Sequence, residues 1–173
     1  MGLAIIFEGV DCTGKSTFIQ KLEAAYIDQG YNINIIHNGV YGSMLEACNA
    51  YMKQFKEAAK FNGITLFDRS FISEMVYGKV HRGTEIPEVM QNTLALALNN
   101  IDDLLVVWCN VPFEEVVAKW ESRKDEEYIE CKSKLKAIYR EYEQFFGGAN
   151  AKYLEFFAPM NLRTFNYLED NDA

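Results

Sequence analysis

The chain has 173 residues, 49% of them hydrophobic, and a formal net charge of −8. That length suits one domain with a real core, and no apolar run approaches the roughly 18 residues of a membrane span. An acidic chain also argues against a broad polynucleotide-binding surface, which needs cations along its length.

Leu3-Ala4-Ile5-Ile6-Phe7 is a short continuous apolar run, the pattern of a strand buried on both faces of a parallel sheet. From Ser16 to about Gln29 the apolar residues Phe18, Ile19, Leu22, Ala25 and Tyr26 share one helical stripe, and Gly30 supplies the stop. Ile33–Ile36 reads as a second strand, Met44–Lys60 as a helix ended by Asn62-Gly63, and Ile64–Phe67 as a third strand. Helical stretches follow near Ser70–Val80 and Pro87–Asn99, then a fourth strand at Leu104–Trp108. Pro112 stands where a helix begins, at the first-turn position that tolerates it. Tyr128–Phe146 reads as a long helix stopped by Gly147-Gly148, and Leu162–Tyr167 as the last strand. Five strands alternating with helices predict an α/β fold with a doubly wound, parallel five-stranded sheet and helices on both faces.

Gly9-Val10-Asp11-Cys12-Thr13-Gly14-Lys15-Ser16 fits G-x-x-x-x-G-K-[ST] at every fixed position, between a buried strand and an amphipathic helix. The chemistry explains each residue type. Glycines let the backbone turn its N–H groups onto phosphate oxygens, and the helix N-terminus adds partial positive charge. Lys15 neutralises the β and γ phosphates, and the Ser16 hydroxyl can ligate Mg²⁺. The spacing therefore predicts a P-loop NTPase whose loop, residues 9–16, holds ATP through Gly9, Asp11, Cys12, Thr13, Gly14, Lys15, Ser16 and the adjoining Thr17.

The stretch Phe7–Thr17 closely resembles the opening of thymidylate kinases, F-E-G-x-D-x-x-G-K-S-T. Phe67–Gly78 looks like their D-R-Y-x-x-S-x-x-A-Y segment, and Glu121–Glu130 is similar to their lid and the helix after it. The resemblance implies a single nucleotide kinase domain over residues 1–173, with the lid at 121–127, and ATP and Mg²⁺ as cofactors. It assigns Asp11 to the acceptor's 3′-hydroxyl, Arg69 to the acceptor phosphate, Asp68 to the Mg²⁺ and phosphate network, and Arg123 to the lid. Lys15, Asp68, Arg69 and Arg123 are thus the expected catalytic group, with Ser16 and Asp68 on the metal. Homodimerisation is implied by the resemblance alone.

The chain departs from that family after strand two, where Ile36–Gly42 replaces R-E-P-G-G, and at Ser70, which stands for the usual tyrosine. The region after strand two helps bind the acceptor, so the base accepted is left open. Tyr77–Gly83 is similar to the thymidylate kinase-like proteins of viral genomes, whose acceptors vary. Cysteine at position 12, where some relatives carry arginine, shifts cationic help to the lid.

The expected reaction is transfer of the ATP γ-phosphoryl group to a pyrimidine deoxynucleoside monophosphate, dTMP-like, giving the diphosphate. Such an acceptor attacks through a phosphate oxygen already largely deprotonated near neutrality, so no general base is needed. A nucleoside acceptor would need a carboxylate base, and similar nucleoside kinases carry one after strand two, where this chain has Asn38, which leaves Glu8, Asp68 and Glu74 as the carboxylates open to that role. Two alternatives stand beside this reading: a kinase for a deoxynucleoside or a modified pyrimidine in DNA, and a non-catalytic nucleotide-binding switch. Asp68-Arg69 has a plainer reading as a strand-end salt bridge, Arg123-Lys124 as a solvated turn, and Tyr51, Phe55, Phe71 and Tyr77 as core packing. The cysteines Cys12, Cys48, Cys109 and Cys131 lie far apart, and with two histidines they make a poor metal set. Together with a start lacking a basic n-region, they fit a reducing, cytoplasmic setting.

Overall fold

A computed structural model describes residues 2–123, 129–147 and 161–169. Five strands, β1 (Leu3–Glu8), β2 (Ile33–His37), β3 (Ile64–Asp68), β4 (Asp103–Cys109) and β5 (Asn161–Phe165), form one sheet in the order β2-β3-β1-β4-β5. Every pairing is parallel. The helices are α1 (Lys15–Asp28), α2 (Met44–Ala58), α3 (Phe71–Tyr77), α4 (Glu88–Leu98), α5 (Phe113–Arg123) and α6 (Lys132–Phe146). This is the doubly wound α/β architecture of P-loop NTPases.

The period of two along β1 divides the core. Ala4 and Ile6 face the layer built from α2 to α6, with Tyr51, Phe55, Phe71, Leu94, Trp120 and Ile138. Ile5 and Phe7 face the other side, where Ile19 of α1 packs on them. Both faces are covered, so β1 needs no polar alternation, and its residues from Ala4 to Glu8 are all buried. Of the aromatic residues with two readings, Tyr51, Phe55 and Phe71 sit in the first layer; Phe55 lies 5.7 Å from Phe67 and 6.2 Å from Phe71, ring centre to ring centre.

Capping decides several boundaries. Ser43 starts α2 by accepting a hydrogen bond from Glu46 N at 3.2 Å, and Ser70 starts α3 by accepting from Ile72 N at 3.3 Å. α3 is shorter than its sequence pattern predicts. After Tyr77 the chain widens into a π turn, Gly78–Arg82, closed by Gly83 at φ 62°. α6 also starts later than its pattern: residues 129 and 130 are not helical, and Cys131 occupies the cap. Tyr128 lies outside the described residues. No helix among the described residues is long and apolar enough to cross a membrane.

The sheet order sets up a site. The strand register aligns Phe7 with Asp68 and Asp68 with His37, so the carboxyl ends of β1, β3 and β2 open side by side. Ligands of doubly wound sheets bind at such ends.

Candidate active site

The loop after β1 wraps the N-terminus of α1. Gly9 adopts φ 144°, and a Cβ there would run into the Cys109 carbonyl oxygen of β4. Gly14 adopts φ 82° at the helix cap, a left-handed conformation that suits glycine. The Lys15 ammonium folds back over the loop, donating to Gly9 O at 2.9 Å and Val10 O at 2.7 Å. Lys15 is buried, not an exposed loop charge. Burial first, and the Arg69 charge second, push its pKa below the ordinary lysine value.

Ser16 Oγ donates to Asp68 Oδ2 at 3.2 Å, and His37 Nδ1 lies 3.3 Å from the same oxygen. A hydroxyl and a carboxylate meeting in front of a phosphate loop form the hard oxygen set that Mg²⁺ takes. Residues 11–17, with Asp68, Arg69 and Arg123, line a cavity of about 200 Å³. Those ten residues, with Gly9 at the base of the loop, are the complete set singled out from sequence. Arg123 closes α5 at the cavity edge, whereas residues 124–127 of the predicted lid lie outside the described residues.

Arg69 does not pair with its chain neighbour Asp68. With φ 74° it turns away and forms an ion pair with Asp11 through Nη2. Nη1 donates to Gly9 O at 3.1 Å and Ser73 Oγ at 3.2 Å, and Nη2 to Tyr77 OH at 3.2 Å. Tyr77 OH in turn donates to Asp11 Oδ2 at 2.9 Å. Burial works to raise the Asp11 carboxyl, but the Arg69 and Lys15 charges and the Tyr77 hydroxyl outweigh it and hold it below the usual aspartate value.

A second cavity, of about 110 Å³, opens on the other side of this pair, toward Asn38 and Val40 after β2, Tyr51 of α2, and Glu74, Tyr77 and Arg82. Asp11 and Arg69 line both cavities and form the wall between them. Glu74 forms an ion pair with Arg82 at the second cavity. Burial raises the Glu74 pKa against the opposing charge of Arg82.

Asn38 is engaged at both ends of its amide. Its Oδ1 accepts from Tyr41 OH at 2.7 Å and Gln54 Nε2 at 2.8 Å, and its Nδ2 donates to Arg69 O at 2.8 Å. Sequence reasoning did not find the partners of Arg69. Ser73, four residues on, stands at the serine of the D-R-Y-x-x-S-x-x-A-Y segment but was given no role, and Tyr142, 73 residues away on α6, lies outside every motif.

Residues 4–146 match the model of a family described as AAA domain. The chain belongs to the AAA domain family. No curated protein matches the sequence. Among solved structures, the YorR protein from Bacillus subtilis, in complex with phosphorylated GDP, is similar at 19% identity and a TM-score of 0.63, over 96% of this chain and 86% of that one. Deoxyadenosine kinase from M. mycoides, with dCMP and dCDP bound, is similar at 18% identity and a TM-score of 0.58, over 97% and 92%. Polyphosphate kinase 2 from Arthrobacter aurescens TC1 is similar at 15% identity and a TM-score of 0.65, over 94% of this chain and 60% of its own. At these identities the likeness lies in the fold that this AAA-domain chain shares with them.

Proposed function

We propose that this protein is an ATP-dependent kinase of the thymidylate kinase type, one domain over residues 1–173, phosphorylating a pyrimidine deoxynucleoside monophosphate such as dTMP. One observation carries the reading: two cavities meet at a wall made of Asp11 and Arg69. A phosphoryl transferase needs a donor site and an acceptor site in contact, with cations where they touch.

ATP fits the first cavity, where the Lys15 amine and the loop amides suit its β and γ phosphates. Ser16 and Asp68 would hold Mg²⁺, which when bound offsets phosphate charge between donor and acceptor. The acceptor fits the second cavity, its phosphate toward Arg69, its 3′-hydroxyl within reach of Asp11, and its base toward Glu74 and Arg82. Arg69 presents a guanidinium at the place where the phosphoryl group crosses, and Arg123 stands at the outer edge of the donor side. Asn38, already committed to three partners, offers a nucleoside hydroxyl no proton-accepting carboxylate after β2, and the two carboxylates lining this cavity, Asp11 and Glu74, are each tied up in an ion pair with an arginine. A phosphate acceptor requires no such base.

The test is ADP release from Mg·ATP against a panel of nucleosides, nucleoside monophosphates and oligonucleotides carrying modified pyrimidines. Turnover with pyrimidine deoxynucleoside monophosphates is the expected result. Turnover with nucleosides alone, or with DNA alone, would replace this reading by one of its rivals, and ATP binding without any acceptor-dependent release would leave a switch.

A further inference from the structure

Arg69 holds a backbone conformation that L-residues avoid, with φ at 74°. Two hydrogen bonds pin its backbone, and a third pins the residue after it. Arg69 N donates to Phe7 O at 3.0 Å, Asn38 Nδ2 donates to Arg69 O at 2.8 Å, and Ser70 N donates to Glu8 Oε1 at 2.7 Å. Glu8 then reaches the guanidinium as well. Ser73 Oγ and Tyr142 OH donate to Glu8 Oε2 at 2.7 and 3.0 Å, and the same two hydroxyls accept from Arg69 Nη1 at 3.2 and 3.4 Å. Ser70 Oγ donates to Oε1 at 2.7 Å.

Glu8 is 0% exposed and lines neither cavity. A buried carboxylate works against the fold unless it is fully satisfied, and an apolar residue would extend the run of β1 without that cost. We infer that Glu8 is a positioning residue, which aims the Arg69 guanidinium at the wall between the two cavities through Ser70, Ser73 and Tyr142. Burial pushes the Glu8 pKa up, against the Ser73 and Ser70 hydrogen bonds and the Arg69 charge; the four donors aimed at its two oxygens are the pattern of the ionised form, which only accepts hydrogen bonds. Hydroxyls around it therefore turn their hydrogens toward it or toward one another, and that leaves their lone pairs for Arg69. Glutamine has the same shape but carries an NH₂, which would donate to these hydroxyls and turn their hydrogens toward the cation.

What Arg69 then grips rests on the function proposed above; its orientation does not. The test therefore joins a substrate-independent readout to a kinetic one. In ¹⁵N-labelled protein, the Arg69 guanidinium signals, assigned with Arg69→Lys, should be resolved in the wild type; in Glu8→Gln the Nη1 signals should shift and broaden, while Asp11 and Tyr77 still hold Nη2. The same variant should lose about tenfold or more in kcat/KM for the acceptor, the loss expected for one hydrogen bond to a charged group, with ATP-analogue affinity unchanged. In an Arg69→Lys background, Glu8→Gln should add nothing further. Ser73→Ala and Tyr142→Phe repeat the measurement one hydroxyl at a time, should Glu8→Gln fail to fold. Unaltered Arg69 signals in every variant that folds would overturn the inference. So would an equal kinetic loss with and without Arg69. If no acceptor is phosphorylated, the proposed function fails while the guanidinium signals still decide the role of Glu8.

Discussion

Replacing Arg69 separates its grip on the acceptor from its place in the fold. Its side chain is 16% exposed and that of Asp11 21%, so the pair is largely shielded from solvent. Arg69→Ala leaves the Asp11 carboxylate without its cation, and breaking a buried pair from one side costs about 3–5 kcal/mol. For a chain of this length that lowers Tm by roughly 6–20 °C. Arg69→Lys keeps the charge beside Asp11 and should leave Tm close to wild type. Lysine nevertheless gives a point contact where the guanidinium offers two parallel N–H groups to a phosphate. Losing one charge-assisted hydrogen bond is worth about 1.5–3 kcal/mol, or roughly 10- to 150-fold in kcat/KM for the acceptor. The assay is steady-state acceptor titration of wild type and both variants, alongside ATP-analogue binding and thermal melts. Because Arg69 borders both cavities, the ratio of the two losses carries the information. A fall in ATP affinity as large as the acceptor loss in Arg69→Lys would move Arg69 to the donor side and refute the assignment.

Three further outcomes are expected. Lys15→Met should cut turnover by at least about 10²-fold, as loss of a charge-stabilising donor does, while Tm does not fall, because burial already disfavours the charged amine in the fold; a Tm that collapses together with activity would contradict this. Asp11 is held below its ordinary value of 3.8, so its contribution to stability is complete above that pH and is lost as pH falls through its lower folded value. The Tm gap between wild type and Asp11→Asn should accordingly stay flat near neutrality and narrow below pH 3.8, and a gap that widens on acidification would show the sign to be wrong. Cys12 lines the phosphate cavity, so saturating ATP should slow its alkylation, and mass spectrometry showing one rate with and without ATP would count against that placement.

The phosphate loop was legible because its chemistry is contiguous: consecutive backbone amides, one lysine and one hydroxyl do the work, and the chain carries them in a single run from Gly9 to Ser16. The strands were legible for a similar reason, since a parallel sheet covered on both faces demands unbroken apolar runs such as Leu3–Phe7. Helix ends were less so. Composition suggested that α6 starts near Tyr128, but the extended backbone of Cys131 sets its start at Lys132. Near Tyr77 the period of 3.6 gave no notice of the change to a π turn.

From its sequence alone this protein is an alternating α/β chain with a phosphate loop, because local propensity, apolar periodicity and a contiguous motif suffice for that. Tertiary structure decided what stands next to the loop. Parallel register in the order β2-β3-β1 brings Asn38, Arg69 and Asp11 to one end of the sheet. A left-handed turn at Arg69 then sends its side chain to Asp11, 58 residues away, in place of adjacent Asp68. Tyr142 and Glu8, 134 residues apart, meet behind it. Such contacts depend on strand order and on a single backbone angle, and neither leaves a periodic or compositional trace along the chain.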